Sequence, residues 1–346
     1  MTRTMRTVVA AAVAAIVVWP LLPAARAQVQ TVDAEKLLAE RFGFSTTDIE
    51  QARAGQAVTR LAPTREATEV GVFGAVRMDG SPDRLVYWLK DIAGFRKAAE
   101  LGQSRKLSSP PGIDDFADLS LGDDELAALK SCRPGKCDLR LGDKAIARFQ
   151  AEVDWAAPNA AAQANLLTRQ IMVALAQAYL QGGDIALGTA HNEKTPRVAA
   201  DEFRALLYQA TNVYELARPF ADYLGNFPAA PLPDSDQFLY WSHGGGGPEP
   251  VIALHQIVIS HPPGGTVMIA DKQLYASRFT DAALTIVTLA STSDGHGYYA
   301  IAGARARSTM LGGMTARLLR TRVERAAVDT VSMYLNWIQQ SLGMVR

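Results

Sequence analysis

Polar residues able to do chemistry are densest in one segment, Asp271-Lys272-Gln273-Leu274-Tyr275-Ala276-Ser277-Arg278. On an extended strand, Asp271, Gln273, Tyr275 and Ser277 share one face, and Lys272, Leu274, Ala276 and Arg278 share the other. Both faces are more polar than the neighbouring apolar runs. A buried polar group without a partner costs about 1–3 kcal/mol, so such a face needs either solvent or a ligand. Lys272, Tyr275, Ser277 and Arg278 are therefore candidate contacts for a ligand head group. His255, set among branched residues in 251–260, is a fifth. Two blander readings stand beside this one: a sheet face wetted by solvent, and a histidine satisfied within a core. A Lys–Tyr–Ser group transfers protons in principle, yet neither a cofactor loop nor an oriented base accompanies it here.

The common catalytic signatures are missing. There is no G-x-S-x-G nucleophile elbow and no H-E-x-x-H zinc helix. The glycines at 244–247 run into Pro248 instead of Gly-Lys-Ser, and Gly71-x-x-Gly74 has no third glycine in register for a dinucleotide fingerprint. His191, His261 and His296 sit in polar or turn-like contexts, and His243 opens the glycine run. Asp114, Asp115, Asp118, Asp123 and Asp124 lack the spacing and closing glutamate of a calcium loop. The sequence thus assigns no catalytic residue, no metal site and no cofactor.

Charge and cysteine usage speak to compartment and partners. Lysine plus arginine and aspartate plus glutamate both number 35, so the balance gives no general affinity for nucleic acid. Arg3 and Arg6 precede an apolar run over residues 8–19, and Ala25-Arg26-Ala27 fits a signal-peptidase site. Residues 1–27 are expected to be a signal peptide and the protein to be periplasmic or secreted. The two cysteines, Cys132 and Cys137, flank Pro134-Gly135. A disulfide across that turn suits an oxidising compartment.

The elements that must position these groups fall into two stretches. Residues 28–230 read as mainly helical, with a strand near 70–78 and the Cys132–Cys137 loop. Ser45 is a candidate cap, Ser81-Pro82 a helix start ended by Gly94, 138–141 a short strand, and 159–180 a helix stopped by Gly182-Gly183. Pro219 is placed to kink or split a helix over 213–224. After the proline-rich boundary at 227–234 the period changes to two. Strands are expected at 251–260, 266–275, 283–289 and 298–301, joined by turns that favour antiparallel pairing. A long helix from about 310 to 342 follows. Its stripe comprises Leu311, Met314, Leu318, Val328, Val331, Leu335, Ile338 and Leu342.

The fold class is therefore α+β, an antiparallel sheet with a long C-terminal helix plus a helical middle section, and residues 231–346 hold the strands and that helix. A terminal helix laid across curved antiparallel strands resembles the helix-grip fold of lipid-transfer domains. That resemblance implies an apolar cavity between helix and sheet, and a lipid or other amphipathic small molecule as partner. Arg317, Arg320 and Arg325 offer a basic helix face to an anionic membrane surface, or serve only to keep the helix solvated. The expected function is non-catalytic binding of a hydrophobic or amphipathic small molecule. A hydrolase-like enzyme with an unrecognised site, and an envelope structural or assembly protein, are the alternatives.

Overall fold

The computed structural model describes residues 33–244, 249–262, 265–312 and 316–344; the expected signal peptide lies outside them. Helices α1 (Ala34–Glu40) and α2 (Thr46–Arg53) come first. Asp33 caps α1, and Ser45 with Asp48 forms a reciprocal capping box on α2. Strands β1 (Val58–Leu61) and β2 (Glu69–Asp79) follow, then helices α3 (Asp83–Lys90) and α4 (Ile92–Ala98), then strand β3 (Gln103–Lys106). Gly94 does not end a helix as expected. Asp91 ends α3 and starts α4 by accepting the Gly94 N–H at 3.2 Å. A Cβ at position 94 would stand 2.2 Å from the Asp91 carboxylate, which explains the glycine.

An insertion then carries the helical middle: α5 (Asp123–Ser131), α6 (Asp143–Glu152), α7 (Ala160–Gly182), a small ladder of β4 (Thr189–Ala190) and β5 (Arg197–Val198), and α8 (Ala199–Gln209), α9 (Thr211–Leu216) and α10 (Arg218–Asn226). Pro219 splits the expected helix over 213–224 by occupying the first turn of α10, where its missing N–H costs nothing. Residues 138–141 form no strand. Their tie to the sheet is the Arg140 N–H, which donates to the Ser277 carbonyl at 2.8 Å. Cys132 and Cys137 are disulfide-bonded, with Cα atoms 4.5 Å apart, at the C-terminal end of α5.

Strands β6 (Ser235–Gly244), β7 (Val251–Ser260), β8 (Thr266–Ala276), β9 (Ala282–Ser291) and β10 (Gly297–Arg307) precede the terminal helix α11 (Ala316–Met344). Eight strands form one antiparallel sheet in the order β1-β2-β10-β9-β8-β7-β6-β3. Strand β2 lies between β1 and β10, so the sheet draws strands from both sides of the 227–234 segment.

Each face of the sheet is covered. On one, α3, α4 and α11 bury Leu85, Leu89, Ile92, Phe95, Leu335 and Ile338 against Tyr240, Ile257, Ile269 and Ala300. On the other, α5–α7 pack on Leu239, Trp241 and Leu254, α8–α10 on Val258, Met268 and Leu284, and α1–α2 on Phe73 and Ile301. The long helix lies on this face as expected, but it packs mostly against β2 and β1 rather than against the strands over 251–301 expected beneath it. It comes closest at Gly74 of β2, where a Cβ would meet Val331 Cγ1 at 2.7 Å and Leu335 Cδ1 at 2.8 Å. The grip is confined to the C-terminal half of α11: Leu335 and Ile338 are buried, whereas Leu318 is 80% exposed. Leu311 is buried in a separate short turn, Thr309–Leu311. Met314 lies outside the described residues. Among the described residues no helix is long and apolar enough to cross a membrane.

Candidate functional site

Alternation along β6, β7 and β8 sends neighbouring residues to opposite faces, and each face encloses a cavity. Beneath α11 and α4 lies a chamber of about 270 Å³. Its walls are apolar: Leu85, Leu89 and Ile92 from α3 and α4, Val331, Leu335 and Ile338 from α11, and Ile257 and Ile269 from the sheet. Its floor is low because β10 presents Ala300, Ala302 and Ala304 there.

One end of this chamber is polar, where it meets Arg96, Tyr240 and Asp271. The Asp271 carboxylate accepts from the Tyr240 hydroxyl at 2.6 Å and from His255 Nδ1 at 2.8 Å. The His255 ring stacks on Tyr240 with centroids 4.6 Å apart, and Nε2 faces the Ser242 hydroxyl at 3.4 Å. Burial works to raise the Asp271 carboxyl, but His255, the Tyr240 hydrogen bond and Arg96 outweigh it and hold the carboxyl below its usual range. The Tyr240 hydroxyl is pushed well up, by burial first and by Asp271 second. Arg96 donates from Nη2 to the Leu101 carbonyl at 2.8 Å, and its guanidinium lies 5.7 Å from the Tyr240 ring centroid. Its buried Nε has no hydrogen-bond partner, nor does the buried hydroxyl of Ser104, which pairs opposite Ser242 on the ladder.

The opposite face holds a larger cavity, about 670 Å³, between β7–β8 and the helices α5–α7. Tyr275 and Ser277 line it with Ile252, Leu274, Met172 and Leu175. A bulge places them there. Leu254 pairs with Tyr275 and His255 with Gln273, so Leu274 is the extra residue and the strict alternation breaks.

The residues singled out from the sequence do not all converge, and only Tyr275 and Ser277 share a cavity. His255 belongs to the chamber side, on Asp271. Lys272 points the other way and is fully buried, with Nζ 2.6 Å from Asp184 Oδ1, donating to the Leu224 carbonyl at 2.9 Å and lying 3.7 Å over the Phe203 ring. Burial lowers the Lys272 ammonium and raises the Asp184 carboxyl, and the pair's mutual attraction opposes both shifts. Tyr275 and Ser277 reach the larger cavity, and the Ser277 hydroxyl accepts the Ile252 N–H at 2.9 Å. Arg278 is paired with Glu249. Of the basic residues on α11, Arg320 is tied to Glu324 and to the Ala67 and Glu69 carbonyls, and Arg325 is exposed. The Arg317 side chain lies outside the described ones. Among the described residues no group of three or more His, Cys, Asp and Glu side chains is placed to hold a metal ion.

Arg96, Tyr240 and Ser242 escaped the sequence reading. No spacing links α4, β6, β7 and β8, and the pairing that unites them is long-range. No family model, curated protein or solved structure matches this chain, so the geometry of these two cavities carries the functional reading.

Proposed function

We propose that this protein, working outside the cytoplasm, binds a hydrophobic or amphipathic, lipid-like small molecule in the chamber beneath α11. The observation that carries this reading is an apolar cavity whose one polar end contains a buried, unpartnered Arg96 Nε. Buried donors are nearly always satisfied, and a ligand's polar head supplies the acceptor. The volume lies just below the lower edge of typical ligand cavities, about 300–1,000 Å³, and suits a short chain or part of a longer one. Native mass spectrometry of the mature protein, followed by solvent extraction of what it carries, tests the proposal. Bound lipid-like mass is expected, and Val331→Trp, which fills the chamber, is expected to remove it. A protein that purifies empty and takes up neither fatty-acid nor phospholipid probes ends this reading. The location is checked on exported material, whose N-terminus should be Gln28; an intact Met1 would count against it.

One observation favours a hydrolytic second reading. Ser242, His255 and Asp271 stand in the order nucleophile, base and orienting carboxylate. With its proton on Nδ1 and hydrogen-bonded to Asp271, His255 offers Nε2 to the Ser242 hydroxyl. Attack by Ser242 on an ester carbonyl would expel the alcohol with the proton returned by His255, and water would release the acid. The 3.4 Å separation is longer than a normal hydrogen bond, as is common in unliganded sites. A fluorophosphonate probe should label Ser242, and Ser242→Ala should abolish p-nitrophenyl butyrate hydrolysis. No labelling and no turnover would leave binding alone.

A further inference from the structure

The cavity on the insertion face is separated from the chamber beneath α11 by the sheet itself. Its existence follows from small side chains at a wide gap. Ala186, Gly188, Thr189 and Ala190 approach from the chain after α7, and the bulge at Leu274 turns both Leu274 and Tyr275 inward. At about 670 Å³ it falls within the range typical of small-molecule sites, roughly 300–1,000 Å³.

Its buried charges are paired, and its one unpaired charge among the described residues, Lys144, sits at the rim. Arg140 is paired with Asp281 at 2.5 Å and also donates to the Thr280 carbonyl. At the rim, His191 Nδ1 meets Asp143 at 2.7 Å, and Lys144 is exposed. The interior therefore presents no unpaired charge to a ligand. It does present hydroxyl donors. The Tyr275 hydroxyl makes no hydrogen bond among the described residues, and burial, its largest influence, keeps it protonated. Ser277 Oγ accepts the Ile252 N–H, which leaves its own O–H free to donate. Thr168 is different, since its hydroxyl is spent on the Ala164 carbonyl at 2.9 Å. Two donors facing an apolar space call for acceptor oxygens, and among the described residues no free cation lies beside them in the interior, which disfavours a carboxylate or phosphate there.

We infer that this cavity is a second, independent binding site, for an uncharged hydrophobic molecule carrying one or two acceptor oxygens, such as an ester or ketone. Tyr275 and Ser277 hold those oxygens, and Ile171, Met172, Leu175 and Phe149 enclose the apolar body.

Titration of the mature chain with Nile red, an uncharged hydrophobic dye with a carbonyl, tests this. Two dye molecules per chain are expected. Leu175→Trp fills the insertion-face cavity and should leave one; Val331→Trp fills the chamber beneath α11 and should also leave one. If Val331→Trp abolishes all binding, this inference fails while the chamber reading stands. If Leu175→Trp abolishes all binding, the reverse holds. In the Val331→Trp background, Tyr275→Phe should weaken the remaining site about fivefold, the equivalent of one net hydrogen bond. That variant removes a single oxygen, so it decides the matter alone should Leu175→Trp fail to fold; unchanged affinity would overturn the assignment. Monoolein should displace the dye from this site and oleate should not. Stronger displacement by oleate would overturn the uncharged class.

Discussion

The two faces of the sheet are built from the same strands and both bury an apolar core, yet they enclose different polar groups. Beneath α11, closure comes from aromatic packing: Trp88, Phe95, Tyr334 and Trp337 meet edge-to-face or tilted, with centroids 5.0 to 5.9 Å apart. On the insertion face the apolar core also encloses a buried ion pair, Lys272 with Asp184. Adjacent residues meet different fates accordingly. Asp271 joins a hydrogen-bonded histidine and tyrosine at a cavity's end, while Lys272 is locked in the middle of a core. A polar residue in a strand thus lines a cavity or becomes a structural ion according to what covers its face.

The sharpest way to break this comparison is Lys272→Met. Removing one partner of a buried ion pair leaves the other charge uncompensated, at a cost of roughly 3–5 kcal/mol, to be read from urea denaturation. A loss under about 1 kcal/mol would show that Asp184 finds another partner or takes up a proton, and that the pair is not what holds this face together.

On the opposite face, Leu335→Ala should cost about 2–5 kcal/mol, because it empties a packed site where α11 meets Gly74. Leu318→Ala on the exposed half of the same helix should change stability by less than about 0.5 kcal/mol. Equal effects would mean that the whole stripe is buried.

The disulfide lies on the insertion side. Its loop is short, so replacing both Cys132 and Cys137 by serine should cost about 2 kcal/mol or less. Labelling without reductant should find neither thiol, and quantitative labelling of both would reject the bond.

The smallest effect is a pH dependence on the α11 side. The Asp271 carboxyl is held lower in the folded protein than in the unfolded chain. Between those two values the unfolded chain binds more protons, so this contribution is present above about pH 4 and is lost as pH falls through the folded value. Asp271→Asn should remove that part of the acid-side slope of the urea midpoint. An unchanged slope would separate Asp271 from the acid response.

Much of the architecture was legible from the chain alone. Strand β7 was expected over the residues it occupies, and β8 ends one residue later than expected, because alternating branched residues and the flanking turns mark them. Strand β6 was not legible. Phe238, Leu239, Tyr240 and Trp241 are all buried, so covering both faces erased the alternation that would have shown it. The expectation that Lys272, Tyr275, Ser277 and Arg278 serve one head group rested on their closeness in sequence, since a strict period of two already sets Lys272 and Arg278 on the face opposite Tyr275 and Ser277. The bulge at Leu274 brings Tyr275 to the same insertion side as Lys272, but Asp184, far away in sequence, claims Lys272, and Glu249 claims Arg278. Local composition determined the class of fold, the elements that open and close it and the cysteine pair, because those depend on residues near in sequence. Only the tertiary structure decided which polar groups meet, since Ser242, His255, Asp271 and Arg96 share a site solely through long-range strand pairing and the packing of α4 upon it.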